Sequence, residues 1–361
     1  KLQLIIPILN QRVAMKTMQA MMLEHIYDLN QTTTPLTPQT VAIPTPGANE
    51  ILIRVTACGV CHTELDEIEG RTPPPSFPVI PGHQVVGRVE ASGPGADRFR
   101  QGQRVGVAWI NHACGHCERC RKGTENLCPE FAATGRDADG GYAEYMTVNE
   151  WFAFPIPDRF SDAQAAPLLC AGAIGYRSLA LCRMRDGQRL GLTGFGASAH
   201  LVLKMVGHQF PQTPVYVFAR SPREQEFARS LGAVWAGDTR DRPPQPLDCI
   251  IDTTPAWTPV VAALETLAPG GRLVINAIRK ETADREVMAG LDYASHLWQE
   301  KEIKSVANVT RLDVSRFLQL ADRIPIVPEV ETFGLADANQ ALMELKTRKI
   351  RGGKVLVMDH G

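Results

Sequence analysis

Cys114, Cys117, Cys120 and Cys128 stand in the run NHACGHCERCRKGTENLC with the spacing C-x2-C-x2-C-x7-C. Four thiolates at this spacing suit one tetrahedral metal ion, zinc above all, with each sulfur about 2.3 Å from it. A site of that kind is closed: it holds a loop in shape and leaves no coordination position for a reaction. Two disulfides among the same residues are the alternative, and they suit an exported protein.

Chemistry must therefore lie elsewhere, and three further metal-capable side chains occupy turn-like settings: Cys61 in ACGVCHTEL, His83 in VIPGHQVVG and Cys170 in PLLCAGA. Two thiolates and an imidazole, with water in the fourth position, form a catalytic zinc arrangement. Spacing alone does not join them, because buried cysteines serve as small apolar residues and a histidine near a strand is readily satisfied by backbone.

A third constellation is Gly194, Gly196 and Ala199, a G-x-G-x-x-A run that follows an apolar strand and opens a helix. Gly194 permits the tight turn, Gly196 lets backbone approach a pyrophosphate, and Ala199 is small enough for helix-on-strand packing. The helix N-terminus then favours the phosphate charge. The next strand, VYVFA, ends at Ala219, where an NAD site places an acidic residue; Arg220, Ser221 and Arg223 follow. Donors without a repelling carboxylate fit a 2'-phosphate and predict NADP(H) over NAD(H), whereas an Arg220 stacked on adenine would serve either dinucleotide.

These residues need two kinds of scaffold. From Glu50 to about Trp109, short β-rich runs alternate with Gly and Pro breaks, which predicts a compact antiparallel, barrel-like domain. A helix is expected within SDAQAAPLLCAGAIGYRSL. From Gln188 onward apolar strands alternate with helical segments, the signature of a doubly wound parallel sheet. Two helices and a strand after SVANVTR are placed to return to the first domain.

With 361 residues the chain is long enough for two domains. Its formal net charge of -1 and its 21% charged residues supply no field for nucleic acid or an anionic membrane, so a small-molecule partner is expected. The opening KLQLIIPILNQRVA is too short to span a bilayer, is cut by Asn10 and Gln11, and lacks a cleavage site. Met15 or Met18 reads as the natural start. Nine cysteines, with Cys58, Cys182 and Cys249 outside the sites above, suit reduced thiols in the cytoplasm.

The segments GVCHTEL, PGHQVVG, the four-cysteine loop, LLCAG, GFGASAH and KIRGGKVLVMD resemble, in order, those of the zinc-dependent alcohol dehydrogenases of the medium-chain dehydrogenase/reductase superfamily. The resemblance runs from about Met18 to the end. It implies an α/β chain: a GroES-like β-barrel catalytic domain over residues 1–170 and 308–361, with a structural zinc loop at 111–128, and a Rossmann cofactor domain over 171–307. It also implies two Zn2+ per chain, one catalytic at Cys61, His83 and Cys170 and one structural at the four-cysteine loop. Thr63 would be the hydroxyl that bonds the reacting alcohol, His62 would lie near the cofactor pyrophosphate, and Trp109 and Ile68 would line the substrate cleft. The expected activity is hydride transfer between a small primary alcohol or its aldehyde and NADP(H), in a homodimer or homotetramer. A zinc-free quinone or enone reductase and a binding protein without chemistry are the competing readings of the same scaffold.

Three positions depart from the pattern of that family. Gln84 stands where the residue after the histidine ligand is usually glutamate, which removes a charge near the metal. Glu64 replaces a common aspartate and can still hold His83 by a hydrogen bond. Asp66 occupies the place of the usual relay histidine, so the proton leaves either through Asp66 or through water.

Overall fold

A computed structural model of the chain describes residues 16–347 and 352–360. The opening run with Asn10, Gln11 and Met15, and Lys349–Arg351 of the terminal motif, lie outside the described residues.

The described residues open with an antiparallel pair, β1 (Thr17–Leu23) and β2 (Leu36–Ala42), which the sequence pattern did not announce. Then comes β3 (Glu50–Val60), whose run EILIRVTACGV is buried along most of its length. Helix α1 (His62–Ile68) follows at once, then β4 (Gln84–Ser92), β5 (Arg104–Val107) and β6 (Ile110–His112). The cysteine loop carries the single turn α2 (Glu118–Arg121). Next come β7 (Ala132–Ala133), β8 (Tyr145–Asn149), β9 (Ala153–Pro155), α3 (Asp162–Ala165) and α4 (Ala171–Cys182). The span Asp162–Cys182 has the length and apolarity of a membrane helix, but 61% of its apolar 18-residue window is buried inside the protein and 3-10 geometry at Ala166–Leu169 interrupts it. Its apolarity belongs to the core.

The second region alternates β10 (Leu190–Thr193), α5 (Ala197–Gln209), β11 (Val215–Phe218), α6 (Pro222–Ser230), β12 (Trp235–Gly237), β13 (Leu247–Asp252), α7 (Thr258–Thr266), β14 (Leu267–Ile275) and β15 (Glu302–Ser305). These six strands form one parallel sheet in the order β12-β11-β10-β13-β14-β15, which reverses direction at β10. All four residues of β10 are buried, as expected for a central strand covered on both faces.

Helix α8 (Arg311–Arg323), β16 (Val330–Gly334), α9 (Ala338–Lys346) and β17 (Gly353–Val357) complete the fold. Strand β17 pairs antiparallel with β3, so the end of the chain is part of the first sheet, whose order is β16-β17-β3-β4-β5-β9 with β8 also on β3. One continuous apolar core joins both regions through residues such as Ile53, Leu168, Val202 and Phe317. A smaller cluster around Tyr216, Leu247 and Leu264 fills the other face of the parallel sheet.

Candidate metal centres and dinucleotide crevice

The four sulfurs of the cysteine loop lie close together, with Cys114–Cys120 at 3.9 Å, Cys117–Cys128 at 3.8 Å and Cys114–Cys128 at 3.6 Å. A tetrahedron with metal–sulfur bonds of about 2.3 Å has edges of about 3.8 Å, so the donor set fits zinc. Backbone N–H groups of Cys117, Cys120 and Cys114 donate to Sγ of Cys114, Cys117 and Cys128 at 3.4, 3.5 and 3.4 Å. Such bonds favour thiolate: the amide of Cys120, with help from neighbouring thiols, brings Cys117 down to about 7. Desolvation and those same thiols push Cys120 up to about 12. The loop also docks on the rest of the protein, since Asn126 Nδ2 donates to Ala307 O at 2.5 Å and Glu125 Oε1 accepts the N–H of Arg311 at 3.0 Å.

Cys61, His83 and Cys170 come from three separate places and converge, with donor atoms all within 4.8 Å of one another. Cys61 is the N-cap of α1: its sulfur accepts the N–H of Thr63 at 3.4 Å, while Glu64 Oε2 accepts the N–H of Cys61 at 2.9 Å. The C-x-T-E run is thus a capping box in which a thiol replaces the usual hydroxyl. His83 enters β4 after Gly82, whose φ of +98° and contact with the Tyr142 ring leave no room for a Cβ. Cys170 sits between the 3-10 turn and α4. The Cys61 Sγ to His83 Nε2 separation is 3.7 Å, close to the roughly 3.6 Å expected for tetrahedral sulfur and nitrogen ligands of zinc.

Glu64 Oε1 lies 2.5 Å from His83 Nδ1, which leaves Nε2 directed at the cysteines. Burial opposes a charged His83, but Glu64 and Cys61 outweigh it and lift the imidazole well above its usual value. Burial likewise works against ionised Glu64, and the His83 charge and hydrogen bonds overcome it, holding the carboxyl below its normal range. The Cys61 thiol is pushed up by its hydrogen bond with Cys170, by burial and by Glu64. Metal uptake here must therefore displace a proton.

Around this cluster Thr63 is half-buried in the first turn of α1, His62 is exposed, and Gln84 is buried against Gly59. Ile68 is fully buried and presents no surface to a cleft in this structure. Half-buried Trp109 packs on Phe131 with ring centroids 5.6 Å apart, and its Nε1 donates to Glu67 Oε1 at 3.5 Å. Asp66 is buried, and its Oδ1 accepts from Arg71 Nε at 2.6 Å and Arg279 Nε at 2.7 Å. Neither arginine, nor buried Glu67, was singled out from the sequence. Glu67 follows Glu64 at helical spacing, which is a usable signal, whereas Arg279 is 213 positions from its partner.

The glycine-rich turn joins β10 to α5. Gly194 has φ of +76°, and a Cβ there would meet Thr253 and Thr254. Gly196 is exposed with nothing within 4 Å of a Cβ position, while Ala199 is buried. Arg220 and Arg223 are exposed just beyond β11, and Ser221 occupies the N-cap position of α6 without a side-chain capping hydrogen bond. The turn and the metal cluster are neighbours: Ser198 Oγ donates to the carbonyl of Ala171, the residue after Cys170, at 3.1 Å.

Comparison with known proteins agrees with this arrangement. Residues 47–158 match the family described as "Alcohol dehydrogenase GroES-like domain". The chain is 44% identical over 331 residues to a probable alcohol dehydrogenase, AdhA, of Mycobacterium tuberculosis, covering 90% of this chain and 94% of that protein. It is 30% identical to an alcohol dehydrogenase of Geobacillus stearothermophilus over 90% of this chain and 97% of the relative. A cobalt- and zinc-bound thermostable alcohol dehydrogenase from Pyrobaculum aerophilum has the same fold, with a TM-score of 0.82 at 23% identity over 95% of this chain and 100% of that one.

Proposed function

The chain belongs to the zinc-type alcohol dehydrogenases of the medium-chain dehydrogenase/reductase superfamily, an oxidoreductase acting on alcohols, and on that premise we propose that it interconverts small primary alcohols and aldehydes with NADP(H) preferred over NAD(H). The observation that carries the reading is the convergence of Cys61, His83 and Cys170 beside the glycine-rich turn. Residues 171–307 form the cofactor unit, and residues 1–170 with 308–361 form the catalytic unit. Cys61, His83 and Cys170 hold one Zn2+, and Cys114, Cys117, Cys120 and Cys128 hold another.

When bound, zinc polarises the substrate oxygen and the nicotinamide exchanges hydride with its carbon. The protein's own side chains do the rest. Glu64 fixes the His83 ring and, through the Cys61 amide, the start of α1. Thr63, in the first turn of the same helix, bonds the alcohol oxygen and, as it accepts that proton, passes its own hydroxyl proton outward to water. Gly196 gives the pyrophosphate access to backbone at the α5 N-terminus, and His62 is the side chain that the family resemblance puts near that pyrophosphate. Trp109 narrows the cleft and favours unbranched substrates. Ala219 lacks the carboxylate that binds ribose hydroxyls, and exposed Arg220 and Arg223 with Ser221 supply donors for a 2'-phosphate.

The reading includes a cytoplasmic homodimer or homotetramer; exposed along its four residues at the sheet edge, β15 offers a surface for a second copy. Zinc analysis together with matched rates tests the whole: C2 to C6, branched and aromatic alcohols and their aldehydes, each with NAD(H) and NADP(H). Two zincs per chain and faster turnover of short linear substrates with NADP(H) are expected. Fully metallated protein that turns over no alcohol or aldehyde with either cofactor would sink it.

A further inference from the structure

We propose that Arg279 is a positioning residue, which holds α1 against the dinucleotide crevice through its salt bridge to Asp66 and is itself held in place by the buried Lys280. This rests on the reading of α1 as the carrier of Cys61 and Thr63.

Arg279 and Lys280 lie just beyond β14 and point to different partners. Lys280, with 8% of its side chain exposed, pairs with the fully buried Asp252 carboxylate at the end of β13 and donates to the carbonyls of Thr254 at 2.7 Å and Ala256 at 3.0 Å. Asp252 also accepts the hydroxyl of Thr193 at 2.5 Å, one residue before Gly194. The ammonium thus ties the segment beyond β14 to the end of β13, and the Asp252 carboxylate extends the link to the last residue of β10, at the rim of the crevice where the strand order reverses.

The neighbouring guanidinium reaches the other way. Arg279 Nε donates to Asp66 Oδ1, on the helix that begins at Cys61 and carries Thr63 in its first turn. Arg71 Nε donates to the same oxygen from the catalytic side and also bridges Glu69, which in turn pairs with Lys346. Asp66 is therefore engaged as an ion-pair partner of two cations, so a tether rather than a proton acceptor is the role its surroundings support. The tether joins the segment beyond β14, in the unit that carries the glycine-rich turn, to the helix that begins after Cys61. Because reactivity falls by up to about 100-fold for a misplacement of about 1 Å, its length matters to turnover more than to binding.

The test uses full-length, zinc-replete protein as wild type, Arg279→Gln, Arg279→Lys, Asp66→Asn and the Arg279→Gln/Asp66→Asn double variant. Steady-state rates with protiated and deuterated alcohol are measured beside dinucleotide affinity by tryptophan fluorescence and amide exchange over residues 62–68. Arg279→Gln and Asp66→Asn should each lower kcat about 10- to 100-fold, raise the deuterium isotope effect on kcat and quicken exchange in α1, with dinucleotide affinity changed less than threefold. Arg279→Lys should recover part of the rate, and the double variant should be no slower than the slower single one. Multiplying single-variant losses would overturn the proposal. So would loss of dinucleotide affinity at constant kcat, which would make Arg279 a cofactor ligand. Wild-type protein inactive on every alcohol and aldehyde would instead remove the enzymatic reading beneath it.

Discussion

Glu64 and His83 share the shortest polar contact among the candidate metal ligands, 2.5 Å between Oε1 and Nδ1, while the other oxygen of Glu64 accepts the Cys61 amide at 2.9 Å. One carboxylate thereby orients the candidate imidazole ligand His83 and caps the helix whose first residue follows the candidate ligand Cys61. Glu64→Gln preserves shape but loses the charge, and should lower activity or zinc affinity at this site by about 10- to 100-fold. Zinc titration against a competing chelator, with the cysteine loop kept loaded, reads this out.

The cysteine loop makes outward contacts with Ala307, Arg311 and Arg177 of α4, none of them with Cys61, His83 or Cys170 themselves. Cys120→Ser should therefore leave one zinc per chain, lower the thermal midpoint and make the segment 111–128 sensitive to protease, with dinucleotide binding retained. Loss of both zincs would contradict that separation.

Arg220→Asp places a carboxylate beside the end of β11 and removes a donor. A charged hydrogen bond contributes about 1.5–3 kcal/mol, so the ratio of kcat/KM for NADP(H) to that for NAD(H) should fall by about 10- to 100-fold. An unchanged ratio removes the argument for a phosphate pocket there.

Lys280→Met leaves the Asp252 carboxylate buried without its cation. Stripping one partner from a buried pair costs about 3–5 kcal/mol, to be measured by urea unfolding. A loss below 1 kcal/mol would mean that the hydroxyls of Thr193 and Thr254 suffice for Asp252.

Glu67 titrates in the opposite sense from the paired carboxylates. Burial, then the charge of Glu64, pushes its carboxyl well above the usual range. In the unfolded chain it ionises near about 4.3, so its contribution is whole below that pH and is lost as pH rises toward the folded value. Glu67→Gln should match wild-type stability at pH 4 and exceed it increasingly as pH rises above the unfolded value, levelling off where the folded carboxyl ionises. Parallel stability curves would show that Glu67 is ionised in the fold.

Local patterns carried much of this architecture. The cysteine spacing needed only short-range geometry, and the G-x-G-x-x-A run could be read because its strand and helix are contiguous with it. The strand ILIRVTACG and the helix LDVSRFLQLADR fall within the observed β3 and α8. Harder were β12 and β15, three and four residues long, whose periods are too brief to register, and PVVAALETLAPG, where the helix stops at Thr266 and the strand begins at Leu267. Asp66 shows where local reading ends: the family resemblance put it at the relay position and left the proton exit between Asp66 and water, whereas its partner Arg279 comes from the segment beyond β14. Ile68 likewise lies inside the core, a fact set by the packing of α1 rather than by its neighbours in sequence.

Strand β17 adds a consequence for how the molecule is made. Val355 and Leu356 pair with Gly59 and Cys58, so the first sheet waits for residues synthesised roughly three hundred positions later. A nascent chain that has finished β4 and β8 still exposes the Ala57–Val60 end of one side of β3, and the whole cofactor unit must emerge before that gap is filled. Assembly of the catalytic half is thus the closing event of biogenesis, and loss of the last few strands would strand the beginning of the protein unfinished.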